Sequence, residues 1–180
     1  MALGATMYRL KIDLSDVDRA VYESLDLRVA RHPSETMRYL LARTLAYCLC
    51  HEEGIAFSKG LSTNDEPAVW IHDLQGNLKA WIEVGNPNAE RLHKANKASP
   101  RTVIFTHAPE LLLRETQGKT IFKRERIEVF SVEPSFLDAL DDATDRNTRW
   151  EMVRTEGALY VTIDGKSIEG TLTRHELTAD

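Results

Sequence analysis

Four stretches decide how this chain is read: Asp65-Glu-Pro-Ala-Val-Trp70, Asp73-Leu-Gln-Gly-Asn77, Ala80-Trp-Ile-Glu-Val-Gly85 and Arg91-Leu-His-Lys-Ala-Asn-Lys97. Strand-forming runs on either side of a Gly-Asn turn predict a hairpin of residues 67–72 and 78–85. In its second arm Leu78, Ala80, Ile82 and Val84 alternate with Lys79, Trp81 and Glu83, so Trp81 and Glu83 share a face. With the turn centred between Gln75 and Gly76, the numbers of opposed residues sum to about 151, which sets Glu83 opposite Ala68 and Gly85 opposite Glu66. Glu66 is then a diagonal neighbour of Glu83, ~7–8 Å away. Asp65 lies just beyond, where Pro67 lets the chain bend. After Pro87 a helix is expected over about 88–98, and Arg91, Lys94 and Lys97, followed by Arg101, form a slanting basic stripe.

Carboxylates at the end of a hairpin, next to a basic helix, suit a hard divalent ion and a phosphodiester. Either Asp65 or Glu66 could join Glu83, because Mg²⁺ needs only one or two carboxylates and otherwise keeps water. A lysine or arginine on the next helix would face the phosphate. The plainer account of the same residues is a solvated hairpin rim and helix face.

Working outward, residues 6–14 and 21–29 alternate as two antiparallel strands joined near Asp16–Arg19, with Tyr8, Leu10, Ile12 and Leu14 on one face. His32-Pro33-Ser34-Glu35 then opens a helix over roughly 34–52, carried by Met37, Leu40, Leu41, Thr44, Leu45 and Cys48 and closed by Gly54. A short strand at 55–58 and a polar loop at 61–65 lead into the hairpin. Beyond the basic helix come a strand at 102–107, a helix at 109–117, a strand at 126–132 and a helix at 134–141. A meander over 148–173 turns at Glu156-Gly157 and Asp164-Gly165. This order implies one α+β domain over residues 1–180 with a mixed sheet, an N-terminal hairpin and C-terminal antiparallel strands.

The chain has 180 residues, 42% hydrophobic and 28% charged, with a net charge of −5. That balance argues against broad coating of nucleic acid, which needs a positive field over much of the surface, but leaves room for a local basic patch at 91–101 or 119–126. No apolar run approaches the ~18 residues of a membrane span, and the first residues lack a basic and then apolar leader. Cys48 and Cys50 are spaced for opposite helix faces, which points to buried thiols in a reducing cytoplasm. Gly118-Lys119-Thr120 and Gly165-Lys166-Ser167 lack the earlier glycine of a phosphate loop, since Leu113 and Tyr160 stand there. The histidines show no zinc spacing, and Asp138, Asp141, Asp142 and Asp145 form a solvated acidic face.

Several uncommon strings in one order carry a resemblance: Met-Ala-Leu-x-Ala-Thr-x-Tyr at 1–8, Ala-Arg-His-Pro-Ser-Glu-Thr at 30–36, Asp-Glu-Pro-x-x-Trp at 65–70, Trp-Ile-Glu-Val-Gly at 81–85 and Arg-Leu-x-Lys-Ala at 91–95. Over nearly its whole length the chain resembles the YaeQ family of bacterial proteins, a variant of the PD-(D/E)xK fold shared by many restriction and repair nucleases. The resemblance implies that Asp65 and Glu83 are the metal-binding acids and that Glu35, on the first long helix, is the helix acid. It implies Mg²⁺ or Mn²⁺, held also by the carbonyl of Val84. The nuclease motif places a lysine two residues after the second acid, and here that residue is Gly85. The expected replacement is Lys94, with Arg91 next. Two functions follow: a metal-dependent nuclease, and a non-catalytic module that keeps the fold and binds nucleic acid or a protein.

Overall fold

The computed structural model describes residues 4–59 and 65–178. In chain order the elements are β1 (Thr6–Asp16), β2 (Val21–Arg31), α1 (Met37–Leu49), β3 (Ile55–Phe57), β4 (Val69–His72), β5 (Leu78–Val84), α2 (Ala89–Ala98), β6 (Thr102–Thr106), α3 (Pro109–Thr116), β7 (Glu128–Ser131), α4 (Pro134–Ala143), β8 (Asn147–Thr155), β9 (Ala158–Ile163), β10 (Lys166–Thr171) and β11 (Thr173–His175). They divide into two compact units, one holding the chain up to Thr44 with Val132–Leu172, the other Leu45–Ser131 with the residues from Thr173. Where the sequence leads one to expect a single mixed sheet there are two, each combining parallel and antiparallel pairs.

The first unit is built on a sheet in the order β10-β9-β8-β1-β2. The alternation in β1 does what its pattern requires: Leu10, Ile12 and Leu14 are buried, and their register sets Leu10 opposite Leu27 and Ile12 opposite Leu25. On the other side β1 pairs in parallel with β8, bringing the fully buried Trp150 opposite Ile12. The meander of β8, β9 and β10 turns where expected. Glu156, Gly157, Asp164 and Gly165 all have positive φ, as the two-residue turns of tight hairpins demand. The expected meander does not end there, because β11 leaves it to pair with β7 in the second unit's sheet.

The helix α1 starts at Met37, not at 34. Thr36 caps it, with its Oγ1 accepting the Tyr39 N–H at 3.1 Å and its carbonyl accepting the Leu40 N–H at 3.1 Å. Glu35 therefore lies before the helix. Cys48 and Cys50 are both buried free thiols.

The second unit's sheet runs β11-β7-β6-β5-β4-β3. The β4–β5 register sets Val69 opposite Ile82, Trp70 opposite Trp81 and Ile71 opposite Ala80, as expected, before slipping at a bulge between Ile71 and His72. β5, β6 and β7 are parallel. All five residues of β6 are buried, the composition a central parallel strand needs. Leu92 of α2 and Leu112 of α3 pack with Ile104, Ile127, Val129 and Leu177 in the core of this unit. β7 begins at Glu128, later than expected, because Arg124–Arg126 form a 3-10 turn. The polar loop expected at 61–65 lies, apart from Asp65, outside the described residues. Among the described residues no helix is long and apolar enough to cross a membrane.

Gly54 and Gly76 both have positive φ, but they differ in surroundings. A Cβ on Gly54 would lie 1.9 Å from the His72 carbonyl oxygen, whereas one on Gly76 would meet nothing within 4 Å. Gly76→Ala should cost about 1 kcal/mol from backbone strain alone, and Gly54→Ala distinctly more, since backbone must also move. Urea denaturation of the two variants checks this, and equal losses would contradict it.

Candidate functional site

The site is assembled from β4, β5 and the first turn of α2. Alternation along β5 puts Trp81 and Glu83 on one face, Trp81 partly exposed and Glu83 buried. The chain then leaves β5 through Gly85, whose N–H donates to the Phe105 carbonyl at 2.8 Å, and Asn86, whose Oδ1 accepts the Thr106 hydroxyl at 2.8 Å. These bonds tie the β5–α2 turn to β6. Asn88 caps α2, its Oδ1 accepting the Arg91 N–H at 2.8 Å, which fixes Arg91 in the opening turn.

From there the Arg91 guanidinium reaches back over Glu83. Its Nε donates to Glu83 Oε1 at 2.7 Å, and its Nη2 to the Glu66 carbonyl at 2.7 Å. The Trp81 indole Nε1 donates to the same Glu83 oxygen at 2.6 Å, and the guanidinium lies 5.8 Å from the centre of the Trp81 ring. Burial pushes the Glu83 carboxyl above its ordinary range, and the Arg91 charge and the Trp81 and Arg91 hydrogen bonds only partly oppose it. Beside this clamp opens a cavity of about 640 Å³, lined by Asp65, Trp81, Asn88, Glu90, Arg91 and Lys94. That volume lies within the range of small-ligand sites.

The residues singled out in the sequence fare differently. Asp65 is exposed on the cavity wall. Glu66 contributes its carbonyl to Arg91 while its carboxylate accepts the Lys59 N–H at 3.2 Å. Val84 is buried at the end of β5, opposite Phe105. Lys94 lines the cavity, exposed and paired with Glu90 at 3.0 Å. The cation on Glu83 is Arg91. The expected stripe is broken, because Arg91 is turned onto Glu83 and Arg101 pairs with Glu128 at 2.7 Å, leaving Lys94 and Lys97 facing solvent.

Glu35 belongs to the first unit and sits in the turn before α1. Its Oε1 accepts Arg43 Nη2 at 2.8 Å and its Oε2 accepts the His32 N–H at 3.2 Å. Its carboxylate closes that turn. Gly85 stands where the nuclease motif has lysine, and its φ of +96° is a conformation that side-chain-bearing residues rarely adopt. The path of the chain out of β5 and the missing lysine are thus one fact. Sequence reasoning missed the Trp81 N–H as a partner of Glu83, although their shared face was the signal.

A model of the family described as YaeQ protein matches residues 1–172. The chain belongs to the YaeQ family. The uncharacterized protein YaeQ of Escherichia coli K12 is 28% identical over 176 residues, spanning 96% of this chain and 97% of that protein. The Salmonella typhi protein of the same name is 29% identical over the same span. The crystal structure of YaeQ protein from Pseudomonas syringae is similar at a TM-score of 0.85 and 32% identity, covering 98% of this chain and 97% of that one. The YaeQ protein of Xanthomonas axonopodis pv. citri is similar at a TM-score of 0.82 and 27% identity, covering 96% and 98%.

The YaeQ resemblance implies Mg²⁺ or Mn²⁺ on Asp65 and Glu83. As the side chains stand, the donor set does not fit a hard divalent ion. Glu83 Oε1 already accepts two N–H groups, one of them from a permanent cation. A metal on that oxygen would have to displace Arg91.

Removing Arg91 should expose the cost of burying Glu83. Arg91→Met is expected to destabilise the protein by about 2–3 kcal/mol at neutral pH, less than the ~3–5 of a fully buried broken pair because Arg91 keeps contact with water. Losing the guanidinium drives the already raised Glu83 carboxyl higher. A folded-state value above the unfolded one gives stability that is present at low pH and lost as pH rises through the folded value, so the deficit should shrink towards about pH 4. Adding Glu83→Gln should recover most of it and flatten the pH dependence. Urea unfolding of the three proteins across pH checks this, and an Arg91→Met variant as stable as wild type at neutral pH would contradict it.

Proposed function

We propose that this protein is a nucleic-acid-binding module of nuclease-like, PD-(D/E)xK-related fold, whose cleft holds a phosphodiester strand without a metal. The observation that carries the proposal is the Arg91 guanidinium bonded to Glu83 at the wall of an open cavity. A nuclease-like core is supported by placement: one acid just before β4, the second near the end of β5, and the cations on the helix that follows. Arg91 supplies the positive charge that a metal would otherwise supply to Glu83. Lys94 adds an exposed cation at the rim, held by Glu90 only through an exposed pair of small worth. The partly exposed Trp81 ring borders the same space and offers a face on which an unpaired base can stack, a contact worth ~1–3 kcal/mol per base. An unpaired strand is therefore preferred over a duplex, whose bases are already stacked.

The second reading is the metal-dependent nuclease, with Lys94 or Arg91 as the catalytic cation. Asp65, exposed on the same cavity wall, is the observation in its favour.

Fluorescence anisotropy with labelled single-stranded oligonucleotides at low salt tests the first reading. Wild type should bind unpaired strands more tightly than duplex. Lys94→Gln should weaken binding and lower the salt-dependence slope by roughly 0.7, the value for one phosphate contact on a single strand. No binding at low salt would overturn the proposal. Cleavage of the same oligonucleotides with Mn²⁺, abolished by Asp65→Asn, would favour the nuclease.

A further inference from the structure

A second group of cations lies further along α2, outside the cavity. Three positive side chains gather around one aromatic ring: Lys123 Nζ is 5.4 Å from the centre of Phe122, Lys97 Nζ 5.8 Å and the Arg126 guanidinium carbon 5.8 Å. The gathering is built into the fold. The buried Asn96 donates through Nδ2 to the carbonyls of Phe122 and Lys123, at 2.5 and 3.0 Å, and the Phe122 N–H donates to His93 Nδ1 at 3.2 Å. Lys123 takes a left-handed backbone conformation at φ 45°, and Arg126 Nη2 donates to the Asn96 carbonyl at 3.0 Å.

Like charges brought together repel, and the π-face of one phenyl ring offsets only part of that, ~0.5–1 kcal/mol per exposed cation. Among the described residues no carboxylate pairs with Lys97, Lys123 or Arg126, and the acid nearest in sequence, the exposed Glu125, forms no ion pair with them. On a chain of net charge −5 such a spot is conspicuous. Its position matters as much as its charge. Lys94, on the cavity rim, and Lys97, on the Phe122 cluster, are one turn apart on α2, about 4.5 Å along its axis.

We propose that the Phe122 cluster is a second phosphate-contacting subsite, along which a single nucleic-acid strand continues after leaving the cleft. The proposal rests on the cleft reading above and adds the path and polarity of contact: bases against Trp81, backbone phosphates along Lys94, Lys97 and Lys123.

The test compares a trinucleotide, which fills the cleft alone, with a strand of roughly fifteen nucleotides, which can reach both sites. Lys97→Gln and Lys123→Gln remove charge at exposed positions without breaking an ion pair. Each should weaken the long strand and lower its salt slope by roughly 0.7; Lys123→Gln, off α2, should leave the trinucleotide as in wild type, while Lys94→Gln should weaken both. If the long strand binds the Lys97 and Lys123 variants as it binds wild type, and Lys94→Gln weakens it, the subsite is overturned and the cleft reading stands. If none of the three variants changes binding of either strand, both fall. A competition arm separates a strand from a simple anion. Inorganic tripolyphosphate that displaces the long strand as well as unlabelled oligonucleotide does, at equal phosphate concentration, would also overturn the proposal.

Discussion

A carboxylate taken out of water at the end of a strand needs a counter-charge within hydrogen-bonding reach, and at Glu83 that charge is Arg91. Much of the second unit's local design serves this contact. β5 aims the carboxylate and the Trp81 indole to one side. Gly85 and Asn86 turn the chain against β6, and Asn88 starts α2 so that its third residue lies over the strand end. The guanidinium also holds the Glu66 carbonyl, which fastens the approach to β4 and brings Asp65 to the cavity wall. One guanidinium thereby ties the end of β5 and the approach to β4 to the helix.

The same contact decides the chemistry that is proposed. A divalent ion and a guanidinium compete for the same carboxylate oxygen, and the guanidinium is delivered by the fold itself, without an association step. Its planar fork uses two of its donors on two different acceptors, Glu83 and the Glu66 carbonyl, which a lysine could not reproduce with the same rigidity. Gly85 belongs to this arrangement. With φ at +96° a lysine at this position would be strained, and the positive charge comes instead from the next helix. Lys94 stays at the cavity rim, apart from Glu83 and paired with Glu90.

Much of the fold is legible in the sequence because its signals are local. The Gly-Asn turn and the alternation around it fix the β4–β5 register over Val69–Ile71, short of the bulge at His72, and the Glu156-Gly157 and Asp164-Gly165 turns mark the later hairpins. What escapes is long-range or depends on a single side chain. Nothing local says that β8 pairs in parallel with β1, or that β11 crosses to β7, and so two sheets stand where one was expected. The helix assignment of Glu35 fails because Thr36 captures the cap, and Glu35 then closes a turn with Arg43. Spacing alone makes Arg91, Lys94 and Lys97 equivalent. Only packing shows that Arg91 is spent on Glu83 and that Lys97 is drawn to Phe122, a ring whose role no periodicity reveals.

The most direct test of a metal-free cleft is the affinity of wild-type protein for one single-stranded oligonucleotide in EDTA and in millimolar Mn²⁺, at matched ionic strength. If Arg91 is the resident counter-ion of Glu83, the two affinities agree within about twofold and the oligonucleotide is recovered intact from both. Binding that disappears in EDTA, or cleavage that begins with Mn²⁺, would mean that a metal displaces Arg91 from Glu83, and would contradict the account at its centre.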